Sequence, residues 1–236
     1  MNIVKVWLHQ EFCSGWQKWE AVYVTVCTMV IAGISVYLGD NMLGIASAVT
    51  GTLYTMFAGK GKISCYCFGI FNTIAYGYIA RTQTLYGDMI LNWFIYLPMM
   101  FAGIVMWRHH RDGAGDVIKT GLTGTERLIW LLAIGAGTLV LGKVLQLKGD
   151  TQPLLDAATT VLSVSAMILT LKRCIEQWLL WTLVNTLSVV MWLRVYLSSG
   201  NSIATLLWWS IMLVTGIIFF IRWHRELKSP ESPELR

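Results

Sequence analysis

Long uncharged stretches alternate with short charged ones along nearly the whole chain. Nineteen uncharged residues separate Glu20 from Asp40, and nineteen more separate Asp40 from Lys60. The runs from Lys62 to Arg81, Asp88 to Arg108 and Glu176 to Arg194 enclose 18, 19 and 17 residues. Those from Arg127 to Lys143 and from Asp156 to Lys172 enclose 15 each, and that from Arg194 to Arg222 encloses 27. A helix crosses the hydrocarbon core with about 20 mostly apolar residues, and Lys143 can snorkel its head group to the interface. The pattern predicts eight helices, over 20–38, 42–58, 63–81, 86–108, 126–147, 153–171, 174–197 and 201–223. No long period-two alternation appears, which excludes a transmembrane β-barrel. The first 20 residues are too long and mixed for a signal n-region, so the first predicted helix is expected to be retained.

Composition agrees with this pattern. Of 236 residues, 56% are apolar and only 13% charged, against about a quarter charged in soluble domains. The mean hydropathy is +0.58. Disorder, a coiled coil and an ordinary soluble enzyme are excluded. Eight spans use ~160 residues, which leaves about 76 for ends and loops and no room for a soluble domain. Of the 18 Lys and Arg residues, 14 fall at the two ends and in the second–third, fourth–fifth and sixth–seventh connections. Basic residues are retained on the cytoplasmic side, so both termini are expected in the cytoplasm, with the chain in the inner (cytoplasmic) membrane. The net charge of +5 follows from the same bias and implies no nucleic-acid partner.

Little in the chain points to chemistry. Five cysteines (13, 27, 65, 67 and 174) form no C-x-x-C pair, and neither a disulfide framework nor a zinc site is implied. The four histidines lie at or beyond predicted helix ends, unlike a membrane haem site. No G-x-S-x-G or H-E-x-x-H is present. No enzyme, metal or cofactor is expected.

An internal repeat is more informative. Phe68-Gly-Ile-Phe-Asn72-Thr73 in the third predicted helix matches Trp181-Thr-Leu-Val-Asn185-Thr186 in the seventh. Met106-Trp107-Arg108-His109 likewise matches Arg222-Trp223-His224-Arg225. The expected organisation is an N-terminus with an extra helix (1–40), a first three-helix repeat (41–112), a linking helix (113–150), a second three-helix repeat (151–228) and a tail (229–236). One linking helix makes the repeats parallel. At 3.6 residues per turn, one stripe carries Phe68, Asn72 and Tyr76, and another carries Asp88, Asn92, Tyr96, Met99, Gly103 and Met106. A third carries Trp178, Trp181, Asn185, Ser188, Trp192 and Tyr196, with Gln177 at its edge. An Asn in hydrocarbon must face partners or a polar cavity. The paired Asn72 and Asn185 are therefore expected to line a central cavity with flat aromatic rings. Asn groups also serve as helix–helix glue, a reading that weighs most for Asn92. Trp16, Trp19, Trp107, Trp130 and Trp223 fit the interfacial aromatic belt, and Gly33, Gly135 and Gly137 fit close packing of helices.

Phe68-x-x-x-Asn72, Trp181-x-x-x-Asn185 and Leu91-Asn92-x-x-x-Tyr96…Gly103…Trp107 resemble the PnuC-type nicotinamide riboside transporters, over roughly 40–227. The resemblance implies a fold like the SWEET sugar transporters in a 3+1+3 arrangement. It also implies facilitated diffusion of nicotinamide riboside and a homotrimer in membrane lipid. Carried over by position, it implies ligand roles for Phe68, Asn72, Asn92, Trp181 and Asn185, with Tyr96, Gln177 and Ser188 beside them on the stripes. Phe68 stands where the second repeat has Trp181, so either half could stack the pyridinium ring. The predicted spans hold no mid-depth Asp or Glu, which favours uniport over proton coupling. A carrier of another small polar solute and a non-transporting membrane scaffold remain the rivals.

Overall fold

The computed structural model describes residues 3–39, 41–82, 86–113, 115–149, 152–199 and 203–228. It is all-helical: α1 (Ile3–Phe12), α2 (Lys18–Tyr37), α3 (Met42–Lys60), α4 (Cys65–Thr82), α5 (Tyr86–Ile90), a π-helical segment (Leu91–Tyr96), α6 (Leu97–Arg108), α7 (Gly124–Leu147), α8 (Pro153–Leu171), α9 (Glu176–Ser199) and α10 (Ile203–Lys228). Helices overlap all eight predicted ranges, with ends moved by a few residues; residues 201 and 202 of the last range lie outside the described residues. Among the described residues six helices are long and apolar enough to cross a membrane: α2, α3, the continuous Tyr86–Arg108 run, α7, α8 and the Leu206–Lys228 part of α10. The other two long helices, α4 and α9, carry the Asn-Thr pairs and so hold more polar side chains.

Local chemistry sets several helix ends. Asn41 accepts from Gly44 N at 2.8 Å, an N-cap for α3. Thr123 and Glu126 form a capping box on α7, and Pro153 opens α8. Gly61 ends α3 with φ 86°, where a residue without Cβ adopts the left-handed conformation freely. Arg173 adopts φ 62° just past α8, a strained position for a side-chain-bearing residue. Its carbonyl is held by Thr120 N at 2.9 Å.

The chain forms two compact units, Met1–Ile118 and Lys119–Arg236. In the first, α2 packs on α3, α3 on α4, and α4 on the α5–π–α6 run. In the second, α7 packs on α8, α8 on α9, and α9 on α10. Each unit has an edge-on aromatic contact. Tyr66 meets Trp107 edge-on at 5.1 Å, and Trp178 meets Trp223 edge-on at 5.8 Å. Trp107 and Trp223 are fully buried. This corrects their assignment to the interfacial belt: each closes the core of its own unit. Gly103 permits the first contact, because a Cβ there would lie 2.2 Å from the Tyr66 ring. Gly33 and Gly135, by contrast, have nothing within 4 Å of a modest added Cβ, and Gly137 only an ordinary contact with Val161 at 3.4 Å. They are not close-packing positions within the chain.

Two features were not predicted. The first is α1, fastened to unit one by buried charge. Glu11 accepts from Arg111 at 2.6 Å and from Ser64 N at 3.0 Å, Lys62 pairs with Asp116, and Lys60 pairs with Glu20 at 2.9 Å. The second is the π segment. At α-helical spacing Met99 and Met106 share the face of Asn92. The wider π turns shift that face, so Met100, Gly103 and Trp107 are buried and Met106 is 37% exposed.

Candidate substrate site

The polar stripe of unit one is largely occupied by its own neighbours. Asn72 donates from Nδ2 to Ser47 O at 2.8 Å and Ser47 Oγ at 3.1 Å. A Cβ on Gly51 would lie 2.9 Å from that nitrogen, so Gly51 makes room for the α3–α4 tie. Phe68 packs on Phe57 at 5.1 Å, and Phe57 packs in turn on Phe12 and Trp16. Asn92 is buried in the π segment and donates to Asp88 O at 2.9 Å. Tyr96, at the end of that segment, is half-buried.

Unit two presents the same motif without a tie from its Asn to a neighbouring helix among the described residues. Asn185 is buried, and among the described residues its carboxamide makes no hydrogen bond. Gly216 brings α10 close to it, a Cβ there lying 3.8 Å from Asn185 Nδ2. Gln177 is 1% exposed, and its Nε2 is buried without a partner. Trp181 is half-buried, with its indole N–H 3.5 Å from Thr170 Oγ1, the outer limit of a hydrogen bond. Ser188 is buried and lines a recess of about 50 Å³ with Leu155, Asp156, Thr159, Leu187 and Met191.

The helix caps give a register in which to compare the two motifs. Gly61 and Arg173 are matching left-handed residues, and counting back fourteen from each gives Ser47 and Thr159. Ser47 receives the Asn72 amide. The Thr159 hydroxyl instead donates within α8, to Leu155 O and Asp156 O at 3.1 Å. Neither Ser47, Thr159 nor Thr170 was singled out by spacing, because which α3 or α8 residue faces the Asn depends on how the helices are rotated.

A buried amide donor left unpaired costs about 1–3 kcal/mol. A ligand acceptor would satisfy the Gln177 donor, close along α9 to the Trp181 indole. Among the described residues no three His, Cys, Asp or Glu side chains gather as a metal site. Burial raises the pKa of Cys174, in the turn between α8 and α9, which keeps its thiol protonated and unreactive.

Comparison with known proteins bears on this arrangement. Residues 41–225 match the family described as nicotinamide mononucleotide transporter. A nicotinamide riboside transporter PnuC of Neisseria mucosa is 35% identical, over 94% of this chain and 87% of its own. One of Haemophilus influenzae is 33% identical, over 94% and 96%. The structure titled "Crystal structure of the Vitamin B3 transporter PnuC" superposes with a TM-score of 0.82 at 34% identity, covering 97% of this chain and 99% of that one. Fold and site thus define a multi-pass helical membrane transporter, not an enzyme. The chain belongs to the nicotinamide mononucleotide transporter family.

Proposed function

We propose that this chain carries nicotinamide riboside across the inner membrane by facilitated diffusion. The observation that carries the reading is the buried, unpartnered Gln177 Nε2, on one stripe with Trp181 and the buried Asn185, whose carboxamide makes no hydrogen bond among the described residues. The riboside offers a flat cationic ring for Trp181 and a carboxamide and hydroxyls for the two amide side chains. The asymmetry of the repeat favours Trp181, rather than Phe68, as the stacking platform. Phe68, Asn72, Asn92 and Tyr96 line the first repeat's share of the path, with Asn72 contributing its remaining carbonyl oxygen. The stripe of α9 holds no cation between Gln177 and Ser188, which suits the riboside better than its phosphorylated form.

In this reading α4 and α9 complete eight spans, with α3–α4–α6 and α8–α9–α10 as parallel repeats linked by α7 and α2 as the extra helix. Both termini lie in the cytoplasm, and three copies assemble in the membrane. The acidic residues Asp88 and Asp156 sit in first turns rather than at mid-span, which favours uniport over proton coupling. Uptake of labelled nicotinamide riboside into proteoliposomes tests the reading. Saturable entry that stops at equal concentrations, with or without a proton or sodium gradient, is expected. No flux, or accumulation abolished by a protonophore, contradicts it.

A further inference from the structure

The Tyr86–Arg108 run changes its bonding pattern halfway along. Leu97 N–H reaches back five residues to Asn92 O, the spacing of a π turn. Pro98 follows at the start of α6 and has no N–H to give. The rung from position 98 back to Phe94 or Trp93 is therefore missing in either the α or the π pattern. Asn92 turns its side chain onto Asp88 O at 2.9 Å, where the pattern changes. Aligned on Trp107 and Trp223, the π segment corresponds to residues 207–212 and Pro98 to Val214. There α10 runs as unbroken α-helix. The two sides of the break are held differently. On the C-terminal side, α6 interlocks with α4: Met100 fills the space over Gly69 and Tyr66 the space over Gly103, and Met100, Tyr66 and Trp107 are buried. On the other side the ties are few and lie at the surface. Trp93 occupies the place of a Cβ on Gly77 and donates from its indole to Ile74 O at 3.2 Å in an exposed bond. Asp88 accepts from the Tyr76 hydroxyl, and no residue of α5 is buried.

We infer that the π segment and Pro98 form a hinge on which Tyr86–Ile90 swings away from α4, with Trp93 on Gly77 as the latch, and that this swing gates the Tyr76 end of the Asn72–Tyr76 stripe in each transport cycle; this rests on the reading of the chain as a nicotinamide riboside carrier. A helix bends where its ladder is interrupted, at a proline or a π turn, and both occur here within eight residues. Hinges need only a few such residues to absorb the backbone change. Segments with few buried contacts open at lower cost than interlocked ones, so α5 moves while α6 stays on α4.

Hydrogen exchange on the full chain, beside riboside calorimetry and uptake into proteoliposomes, tests this. In the wild type the amides of 91–97 should exchange about tenfold or more faster than those of the aligned stretch 207–213. Pro98 is exposed, so Pro98→Ala supplies the missing N–H without disturbing packing. It should slow exchange over 91–97 about tenfold and slow riboside uptake several-fold, with riboside affinity unchanged. Trp93→Phe keeps a ring over Gly77 but removes the donor to Ile74 O. It should speed exchange over 86–97 several-fold and leave α6 unchanged, and it serves if Pro98→Ala does not fold. Equal protection of 91–97 and 207–213 in the wild type overturns the hinge, as does wild-type exchange in both variants. Slowed exchange with wild-type uptake in Pro98→Ala overturns its use as a gate, as does a loss of affinity that accounts for the whole loss of uptake. A wild-type chain that takes up no riboside sinks the proposed function, and the exchange rates still decide the hinge. If the wild type takes it up and Pro98→Ala matches it in both rate and exchange, the hinge alone fails.

Discussion

Asn72 and Asn185 occupy the same place in two matching sequence motifs, one turn beyond an aromatic residue, yet their surroundings differ. Asn72 spends its amide nitrogen on Ser47, and Phe68 is packed into the Phe57 cluster. Asn185 has no partner among the described residues, and Gln177, one stripe position before Trp181, holds a buried unpaired donor. In the first unit the motif's amide is tied to α3, and the unit is further bound together by buried charge around Glu11, Lys60 and Lys62. The second has no such amide tie among the described residues. One copy of a motif can thus hold helices together while the other makes no such tie among the described residues. Their shared sequence conceals the difference.

The largest expected effect breaks the charge lock of unit one. Glu11 is fully buried and accepts from Arg111 and Ser64 N. Removing one partner of a buried pair typically costs about 3–5 kcal/mol, so Glu11→Ala should lower the melting temperature markedly. Any variant that still folds should bind ligand with wild-type affinity. A loss of affinity larger than the loss of stability would put α1 in the binding machinery and blur the contrast between the units.

Next is the second unit's amide. Asn185→Leu keeps the branched shape, though with more bulk, and removes a carboxamide that makes no hydrogen bond among the described residues. It should weaken riboside binding by about 1–3 kcal/mol, the cost of leaving the ligand's buried polar group unpaired. The melting temperature without ligand should hold or rise slightly. Early melting with unchanged affinity, measured side by side in one detergent, would make Asn185 glue like Asn72.

Trp181 sharpens the comparison with Phe68. Trp181→Ala should cost about 2 kcal/mol of ring–cation attraction if the site is desolvated, with Trp181→Phe recovering part of it. Phe68→Ala should act mainly on stability, through its contact with Phe57. Riboside titrations of the three variants decide this. Equal affinity losses for Trp181→Ala and Phe68→Ala would mean that both halves stack the ring.

Much of this was legible in the sequence, for identifiable reasons. Charge-free runs bounded by Glu20, Asp40, Lys60 and their successors located the long helices, because a charge in hydrocarbon is costly. The aromatic-x-x-x-Asn match singled out Asn72 and Asn185, which the structure places on α4 and α9. The π segment was not legible: Leu91–Tyr96 has no composition that distinguishes it from α-helix, so Met99 and Met106 were placed on the wrong face. Nor was α1, whose ten residues are too short and mixed for a span and are held by partners far along the chain, such as Arg111. The Asn72–Ser47 tie depends on helix rotation, which spacing along a single helix does not contain.

The smallest expected effect concerns that tie. In Asn72→Leu the helix α4 loses a donor to Ser47, while Ser47 O keeps its place in the α3 ladder and its hydroxyl can turn to its own backbone, as Thr159 does. Interhelical hydrogen bonds in membrane proteins average about 0.6 kcal/mol because the unfolded helices find other partners. Asn72→Leu should therefore melt slightly earlier than the wild type, by that order. The bulkier branched chain must also fit over Gly51, where the Asn72 nitrogen already lies 2.9 Å from a Cβ position, so Asn72→Ala is the cleaner variant for stability. Ligand affinity should fall less than in Asn185→Leu, because only the carbonyl oxygen of Asn72 remains for a ligand. If Asn72→Ala loses as much affinity as Asn185→Leu and melts like the wild type, the tie to Ser47 gives way when substrate arrives. The two repeats would then be working alike.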